Sequence, residues 1–196
     1  MKKSIIIFVL LALSACKTTP TTPTSQAESK PTSITSTNEV VTLSKPKTAK
    51  LKIESEVNSS IVYLDEGKWK HKKVTKNDDE TEYTFDLKNA VVSSKLITEK
   101  IPLGKDILAK AAVINAAALD PDVYVVIKED RIINGNVVVY MEMLASNKGL
   151  DFKLFGVYHS NKQGSTQLVV FTLKDLAEDY DEEIQGLLSG FDVASK

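Results

Sequence analysis

The sequence predicts a domain of the α/β (α+β) class, in which a mainly antiparallel sheet is sandwiched between helices. Residues 137–141 and 168–171 are apolar at every position, whereas a strand with one face in water alternates apolar and polar residues. Asn134-Gly135 lies between two strand-like segments and is typical of a tight hairpin, because both residues tolerate positive φ. Two segments with apolar residues at helical spacing are available to cover the sheet. We therefore expect helices on its faces.

The first predicted strands are short. A strand at 61–64 is followed by a turn at Asp65-Glu66-Gly67. Residues 82–87 alternate between apolar and polar side chains, as in a half-buried strand. Residues 91–99 are its predicted partner, although Ser93, Ser94 and Lys95 make that segment less apolar.

A helix is predicted over 103–119. Its apolar residues recur every three or four positions and form one stripe that we expect to be buried: Leu103, Ile107, Leu108, Ala111, Ile114, Ala118 and Leu119. Asp120-Pro121 ends the helix, because proline disfavours a helical conformation in the residue before it.

Four strands and a second helix complete the predicted domain. The strands span 123–133, 137–144, 150–159 and 166–173. The helix spans 175–189, with Thr172 and Asp175 as a capping box and Gly190 as its C-terminal stop. Its predicted buried face consists of Leu176, Tyr180, Ile184 and Leu187.

Composition excludes several classes of protein. The 196 residues include 25 Lys+Arg and 26 Asp+Glu, a formal charge of −1, which argues against a nucleic-acid-binding protein. Seven of the basic residues and two of the acidic residues precede residue 51, so the remainder has a formal charge of −6. The single cysteine excludes an intramolecular disulfide framework and a cysteine-rich zinc site.

Residues 1–16 have the organisation of an export signal. Lys2 and Lys3 precede an apolar run over 5–12 that is too short to cross a bilayer as a helix. The segment closes with Leu13, Ser14, Ala15 and Cys16.

These four residues resemble the lipobox of bacterial lipoproteins. The resemblance implies cleavage before Cys16 and a thioether between its thiol and a glyceride that carries two fatty acyl chains, such as palmitate. Two or more acyl chains hold a protein stably on a membrane. Lys17 follows where an Asp tends to retain enterobacterial lipoproteins in the inner membrane, so we expect the outer membrane, facing the periplasm. The alternative is an ordinary secretory signal with a coincidental cysteine.

Three regions follow from these patterns. Residues 1–15 are the predicted signal peptide, and residues 16–50 the lipidated cysteine with a disordered tether. Thr, Ser and Pro supply 19 of the 34 residues at 17–50, and such a segment buries too little apolar surface to fold. The tether is a solvated spacer or, with its net positive charge, a segment beside anionic lipids. Residues 51–196 form the single predicted globular domain.

The order of elements resembles the PsbP-like fold, a group that includes the PsbP subunit of photosystem II, a small eukaryotic Ran-binding protein and bacterial DcrB-type envelope lipoproteins. The resemblance extends over 61–191. It rests on the early strands near Trp69, the helix at 103–119, the Asn134-Gly135 hairpin, the Phe155-Gly156-Val157-Tyr158 strand and the closing helix before Gly190-Phe191. It implies three α/β/α layers and an accessory or binding role without enzymatic activity. No motif for photosystem or Ran binding is present.

Motifs for catalysis and metal binding are few. The sequence has no Gly-x-Ser-x-Gly elbow, phosphate loop or His-Glu-x-x-His motif. His71 and His159 lack a ligand at helical spacing, and Asn77-Asp78-Asp79-Glu80 lacks the spacing of a calcium loop. The acidic residues at 178–183 are expected to form the solvent face of the last helix, and contact with a basic partner is the alternative. No catalytic residue, cofactor or metal is predicted.

The strongest candidate for binding is a basic run around the sole tryptophan: Lys68, Trp69, Lys70, His71, Lys72 and Lys73. Tryptophan can stack on a ligand and lysine can bind phosphate or carboxylate. Peptidoglycan, lipopolysaccharide or an acidic envelope protein would suit this patch. The alternative is that Trp69 packs inward while the lysines stay in water.

We therefore expect a membrane-anchored accessory or binding lipoprotein of the cell envelope. An enzyme with an unrecognised site and a structural envelope protein are the alternatives.

Overall fold

The large sheet determines the architecture of the computed structural model, which describes residues 40–75, 80–118 and 120–194. Within these residues, eight strands form this sheet in the order β1-β7-β8-β9-β10-β6-β5-β4, and of the neighbouring pairs only β1 and β7 are parallel. Its strands are β1 (Val41–Leu43), β4 (Trp69–Lys73), β5 (Thr81–Leu87), β6 (Val92–Glu99), β7 (Tyr124–Ile133), β8 (Asn136–Asn147), β9 (Leu150–Asn161) and β10 (Gly164–Leu173). The predicted mainly antiparallel sheet is confirmed.

A small sheet and two helices cover the faces of the large sheet. The small sheet has the order β11-β3-β2 and consists of β2 (Leu51–Glu54), β3 (Ser60–Leu64) and β11 (Phe191–Val193). Helix α1 (Lys105–Ala117) packs on one face of the large sheet, and α2 (Asp181–Ser189) packs with the small sheet on the other face. The chain therefore has three layers, as the sequence predicts, but one outer layer also contains strands.

The two cores lie on opposite faces of the large sheet. On the α2 side, Phe85, Tyr140 and Phe155 pack with Val62 and Ile184. On the α1 side, the alanines of α1 pack against methionine, leucine and tyrosine side chains of β8 and β9. The continuous apolar strands arise because side chains pack on both faces of β8 and β10.

The buried stripe predicted for α1 is wrong in part. Leu108 is fully buried with Ala109, Ala112 and Ala116, whereas Ile107 and Ile114 are 60% and 70% exposed. Apolar residues lie on two adjacent faces of α1. Their spacing therefore does not indicate which of the two faces packs against the sheet. The small alanines face the sheet, where they let the helix approach it closely.

The predicted second helix is shorter than expected. A 3-10 helix at Lys174–Leu176 precedes turns, and α2 begins at Asp181 with three acidic residues in its first turn, where the helix dipole favours negative charge. The predicted capping box is wrong, because Thr172 belongs to β10 and its hydroxyl donates to the Val91 carbonyl at 2.8 Å.

The folded domain begins earlier than the predicted boundary at residue 51. Strand β1 pairs with the end of β7, and Ala49 is buried. The apolar residues Val40, Val41 and Leu43 interrupt the polar composition that predicted a tether up to residue 50. Residues 1–39, which contain the rest of the predicted tether, lie outside the described residues.

Asn134 joins the two ends of the domain. It has φ 49° and Gly135 has φ 82°, so the predicted hairpin is confirmed. The Asn134 side-chain amide donates to the carbonyls of Ser189 and Phe191 at 2.9 and 2.7 Å. Its side-chain carbonyl accepts from the Lys45 amide at 2.9 Å, and its backbone N–H donates to the Leu43 carbonyl at 3.0 Å.

Candidate functional site

The strongest candidate site is an open groove beside α1, which we call the α1 groove. Its volume is about 370 Å³, within the range of roughly 300–1,000 Å³ found for small-molecule sites. One wall comes from α1 and the rest from β6, β8, β9 and β10. The lining residues are Lys95, Ile97, Ala112, Asn115, Ala116, Met143, Phe152, Leu154, Tyr158, Gln167, Val169 and Phe171.

The register of the strands produces the apolar floor of this groove. Phe171 lies opposite Leu154, and Leu154 lies opposite Met143 on the next strand. Val169 lies opposite Gly156 in the neighbouring row. Because alternate residues of a strand point to the same face, these rows form one apolar surface beside α1. Val169 and Phe171 remain partly exposed, so part of this surface can still be covered.

Two buried polar residues lie side by side at the groove. Tyr158 and Gln167 are directly opposite each other on β9 and β10 and are 0% and 4% exposed. Within the described part of the chain, the Tyr158 hydroxyl has no hydrogen-bond partner. Burial raises the pKa of the Tyr158 phenol, so the hydroxyl stays protonated and can act as a donor.

Glycine 156 makes room for that hydroxyl. A β-carbon at position 156 would lie 2.2 Å from Tyr158 Oη and 2.4 Å from its Cζ atom. The tyrosine ring therefore lies along its own strand, over the bare α-carbon. The sequence contains this arrangement as Phe155-Gly156-Val157-Tyr158, a glycine two residues before a tyrosine on the same face of a strand. Sequence reasoning used the segment for the fold and did not identify it as part of a site.

The structure divides the predicted basic patch. Trp69 is only 4% exposed and packs in the α2-side core, so it cannot stack on a ligand as the patch interpretation required. Lys70, His71, Lys72 and Lys73 are exposed on the edge strand β4. The burial of tryptophan is explained by its place at the start of β4, opposite the buried Leu87.

Two members of the basic run are paired with carboxylates. The Lys68 ammonium lies 2.9 Å from Glu183 and 3.3 Å from Glu182 on α2. Lys73 pairs with Glu56. The hydrogen bond with Glu183 raises the pKa of Lys68, and the same bond lowers the pKa of Glu183. These pairs join β4 and the residue before it to α2 and to the segment that follows β2.

Lys70 and Lys72 share a face of the sheet with the α1 groove. Because Trp69 points into the α2-side core, the alternation of the strand directs its two neighbours at 70 and 72 to the α1 side. Lys72, Thr84, Lys95 and Val169 lie in one row across four strands. Three strand spacings, about 14 Å, therefore separate Lys72 from the groove floor.

A second cavity, of about 400 Å³, lies beside α2 and residues 41–49. Four charged residues at this cavity are engaged in ion pairs, because Lys68 contacts Glu182 and Glu183 and Arg131 contacts Glu129 at 2.7 Å. None of the described residues that line this cavity has an unpartnered buried donor like the Tyr158 hydroxyl.

A polar network fills the neighbouring part of the α2-side core. The Tyr140 hydroxyl donates to Glu142 at 2.7 Å and accepts from Gln185 at 3.2 Å, while Lys153 pairs with Glu142 at 2.8 Å. Burial raises the pKa of Tyr140. Arg131 lies over the Tyr140 ring, 3.3 Å from its centroid. Because these groups satisfy one another, the network ties α2 to the sheet.

The two histidines are far apart. His71 is on the edge strand β4 and His159 on β9, four strand spacings away, about 19 Å. His159 Nδ1 lies 3.1 Å from the Val137 carbonyl, and burial lowers the pKa of its ring. Among the described residues, no group of three or more His, Cys, Asp or Glu side chains could hold a metal ion.

Several predicted residues lie outside the described part of the chain. They are Leu13, Ser14, Ala15 and Cys16 of the lipobox, and Asn77, Asp78 and Asp79 of the acidic segment considered for calcium binding. None of the helices in the described ranges is long and apolar enough to span a membrane.

Comparison with solved structures shows the fold. The solution structure of cyanobacterial PsbP (CyanoP) from Synechocystis sp. PCC 6803 is similar with a TM-score of 0.56 and 12% identity, over 75% of this chain and 94% of that one. A crystal structure from Bacteroides thetaiotaomicron VPI-5482 is similar with a TM-score of 0.51 and 10% identity, over 76% of this chain and 50% of that one. The fold is therefore PsbP-like, as predicted.

Comparison of the sequence with family models and with curated proteins found no significant match. LpqN, described as involved in cell envelope biogenesis of Mycobacterium tuberculosis, shares 14% identity over 78% of this chain and 82% of its own. Its TM-score of 0.39 is too low for that description to bear on the present chain.

Proposed function

We propose that this protein is a lipid-anchored binding protein of the bacterial cell envelope, without enzymatic activity, that holds an apolar ligand in the α1 groove. The observation that carries the proposal is the combination of an open apolar floor with a buried hydroxyl, that of Tyr158, which has no partner among the described residues. Apolar pockets with few convergent polar groups are typical of small-molecule sites. The anchor is supported by the sequence Leu13-Ser14-Ala15-Cys16.

A groove-blocking variant tests the binding role. Val169 is half-buried at the floor of the groove, so Val169→Trp fills open space. We expect organic extraction of the wild-type protein, purified from its host, to release an apolar compound that mass spectrometry does not find with Val169→Trp. Ile114→Lys is the matched control, because Ile114 lies on the outer face of α1 and is 70% exposed. An equal yield from all three proteins would refute the groove as the site.

Acyl labelling tests the anchor separately. Cys16 is the only cysteine, so Cys16→Ser is expected to abolish incorporation of labelled palmitate, whereas Lys17→Ser retains it. Persistent labelling of Cys16→Ser would exclude lipidation at this residue. Loss of labelling without loss of ligand would leave the groove proposal intact.

The exposed part of the basic run provides a second contact with the envelope. Lys70 and Lys72 extend from the edge strand on the groove side and are suited to an anionic envelope component, such as the phosphates of lipopolysaccharide. Lys70→Gln with Lys72→Gln is expected to weaken sedimentation with lipopolysaccharide vesicles in a salt-dependent manner. Lys47→Gln with Lys50→Gln, also exposed, is the control.

A further inference from the structure

The unpartnered hydroxyl of Tyr158 indicates more about the ligand than its apolar nature. A buried donor without an acceptor is unfavourable, because it has lost its hydrogen bonds to water. Tyr158 lines the groove and is fully buried, and its hydroxyl has no partner among the described residues. A ligand that brings an acceptor to this hydroxyl would restore the missing bond.

The surroundings of Tyr158 select an uncharged acceptor. Its neighbours on the same face of the sheet are Val169, Met141 and Gly156, with Gln167 directly opposite. A carboxylate in this position would be desolvated among these largely apolar neighbours. Lys95 lies at the groove on β6 and already interacts with another group. An ester or ketone carbonyl accepts the hydrogen bond without introducing a charge.

The shape of the groove selects an elongated molecule. The floor crosses several strands, from Met143 on β8 through Leu154 on β9 and Phe171 on β10. The helix wall is formed by Ala112, Asn115 and Ala116, and the short alanine side chains do not fill the groove.

We infer that the α1 groove binds a neutral lipid whose carbonyl oxygen accepts a hydrogen bond from the Tyr158 hydroxyl and whose hydrocarbon part lies on the floor around Val169 and Phe171. The inference rests on the proposed binding function and adds the chemical class of the ligand. Tyr158 is a specificity-determining residue in this arrangement. No covalent step is involved.

Photo-crosslinking of the full chain, anchored in phosphatidylethanolamine and phosphatidylglycerol vesicles, tests the inference. The probes are hexadecanoic acid methyl ester with a mid-chain diazirine and the corresponding free acid. Irradiation followed by peptide mass spectrometry locates the attached chain. We expect the ester to label groove peptides from β10 and α1 at lower concentration than the acid.

Three variants separate the parts of the claim. Tyr158→Phe removes only the hydroxyl and is expected to raise the ester concentration for half-maximal labelling about threefold to tenfold, as for the loss of one hydrogen bond, while acid labelling is unchanged. Val169→Trp abolishes labelling of the groove by both probes, and Ile97→Trp serves the same purpose if the first variant does not fold. Ile114→Lys leaves labelling unchanged.

The stability of the Tyr158→Phe variant tests whether the hydroxyl has a structural role, because loss of a structural hydroxyl would lower stability. Because the hydroxyl makes no hydrogen bond within the described chain, its removal is expected not to lower the midpoint of urea unfolding. A lowered midpoint would assign the hydroxyl a structural role and overturn the inference.

Each remaining outcome of the crosslinking experiment tests one part of the inference. Equal ester labelling of wild type and Tyr158→Phe overturns the hydrogen bond but leaves groove binding in place. Stronger labelling by the acid than by the ester overturns the neutral ligand. Failure of both probes to label the groove overturns this inference, whereas the proposed function falls only if extraction from the host protein also yields no compound.

Discussion

Tyr158 occupies the space that a β-carbon of residue 156 would need, with its hydroxyl oxygen 2.2 Å from that position. The contact is not limited to the tip of the side chain, because two ring carbons would lie within 2.5 Å of the same β-carbon. The ring is fully buried in the core between α1 and the sheet.

Gly156→Ala is therefore expected to lower the free energy of unfolding by about 1–3 kcal/mol, the usual cost of overpacking a core. The contrasting variant is Gly186→Ala in α2. There a β-carbon would meet only Pro46, at 3.8 Å, and alanine favours a helix over glycine by up to about 1 kcal/mol. Urea unfolding of both variants checks the opposite signs. A neutral Gly156→Ala would mean that the ring has other space available.

Trp69 is expected to report on the core rather than on the surface. It is the only tryptophan and is 4% exposed, so acrylamide should quench its fluorescence weakly in the native protein and strongly in urea. Trp69→Ala should cost about 3–5 kcal/mol, as for other large core truncations. Lys70→Gln with Lys72→Gln is the control and should change stability by less than about 0.5 kcal/mol. Strong quenching of tryptophan fluorescence in the native protein would show that Trp69 is exposed, as the surface-patch interpretation requires.

The ion pair between Lys68 and Glu183 predicts a pH dependence with a definite sign. The pKa of Glu183 is lowered, chiefly by the hydrogen bond from Lys68, so its stabilisation is present above the unfolded-state pKa of about 4.3. It is lost as the pH falls through the lower folded-state value. The pKa of Lys68 is raised by the same contact, so its stabilisation is lost only in strongly basic solution.

Glu183→Gln should therefore lower the free energy of unfolding at pH 7 by at most about 1 kcal/mol, because the Lys68 side chain is 41% exposed and solvent screens the pair. The difference from wild type should shrink toward zero as the pH falls through the lowered folded-state pKa of Glu183. Glu182→Gln is the control, since that carboxylate is 90% exposed and should contribute little at any pH. A difference that persists in acid would indicate a loss of packing instead of charge.

The two apolar faces of α1 are expected to respond differently to truncation. Leu108 is fully buried and Ile107, its neighbour, is 60% exposed. Leu108→Ala should lower the free energy of unfolding by about 2–5 kcal/mol, whereas Ile107→Ala should change it by less than about 0.5 kcal/mol. Denaturant unfolding of the two variants checks this. Equal losses would mean that something covers Ile107 in solution.

Local patterns predicted much of the fold. The Asn134-Gly135 turn, the strands β5 to β10 and the covered faces of β8 and β10 follow from periodicity and turn chemistry within short windows of sequence. The strands β1 and β11 were missed because each has only three residues and is defined by a distant partner. Strand β4 was missed because four of its five residues are polar.

The candidate site was also harder to predict than the fold, because its residues are far apart in the sequence. The basic run was predicted as a binding patch because its residues are contiguous in the sequence. Strand alternation, however, directs Trp69 to one face of the sheet and Lys70 and Lys72 to the other. The α1 groove joins residues from four strands and a helix, between positions 95 and 171, so no contiguous motif marks it. Only the strand register, with Gly156 and Tyr158 on one face, could have suggested it.

The contacts of Asn134 have a consequence for local unfolding. One carboxamide accepts from the segment after β1 and donates to the residues around β11, so both ends of the domain depend on the same hairpin. Backbone amides of residues 43–45 and 189–193 should then exchange with deuterium as one cooperative unit, and not as two independently fraying termini.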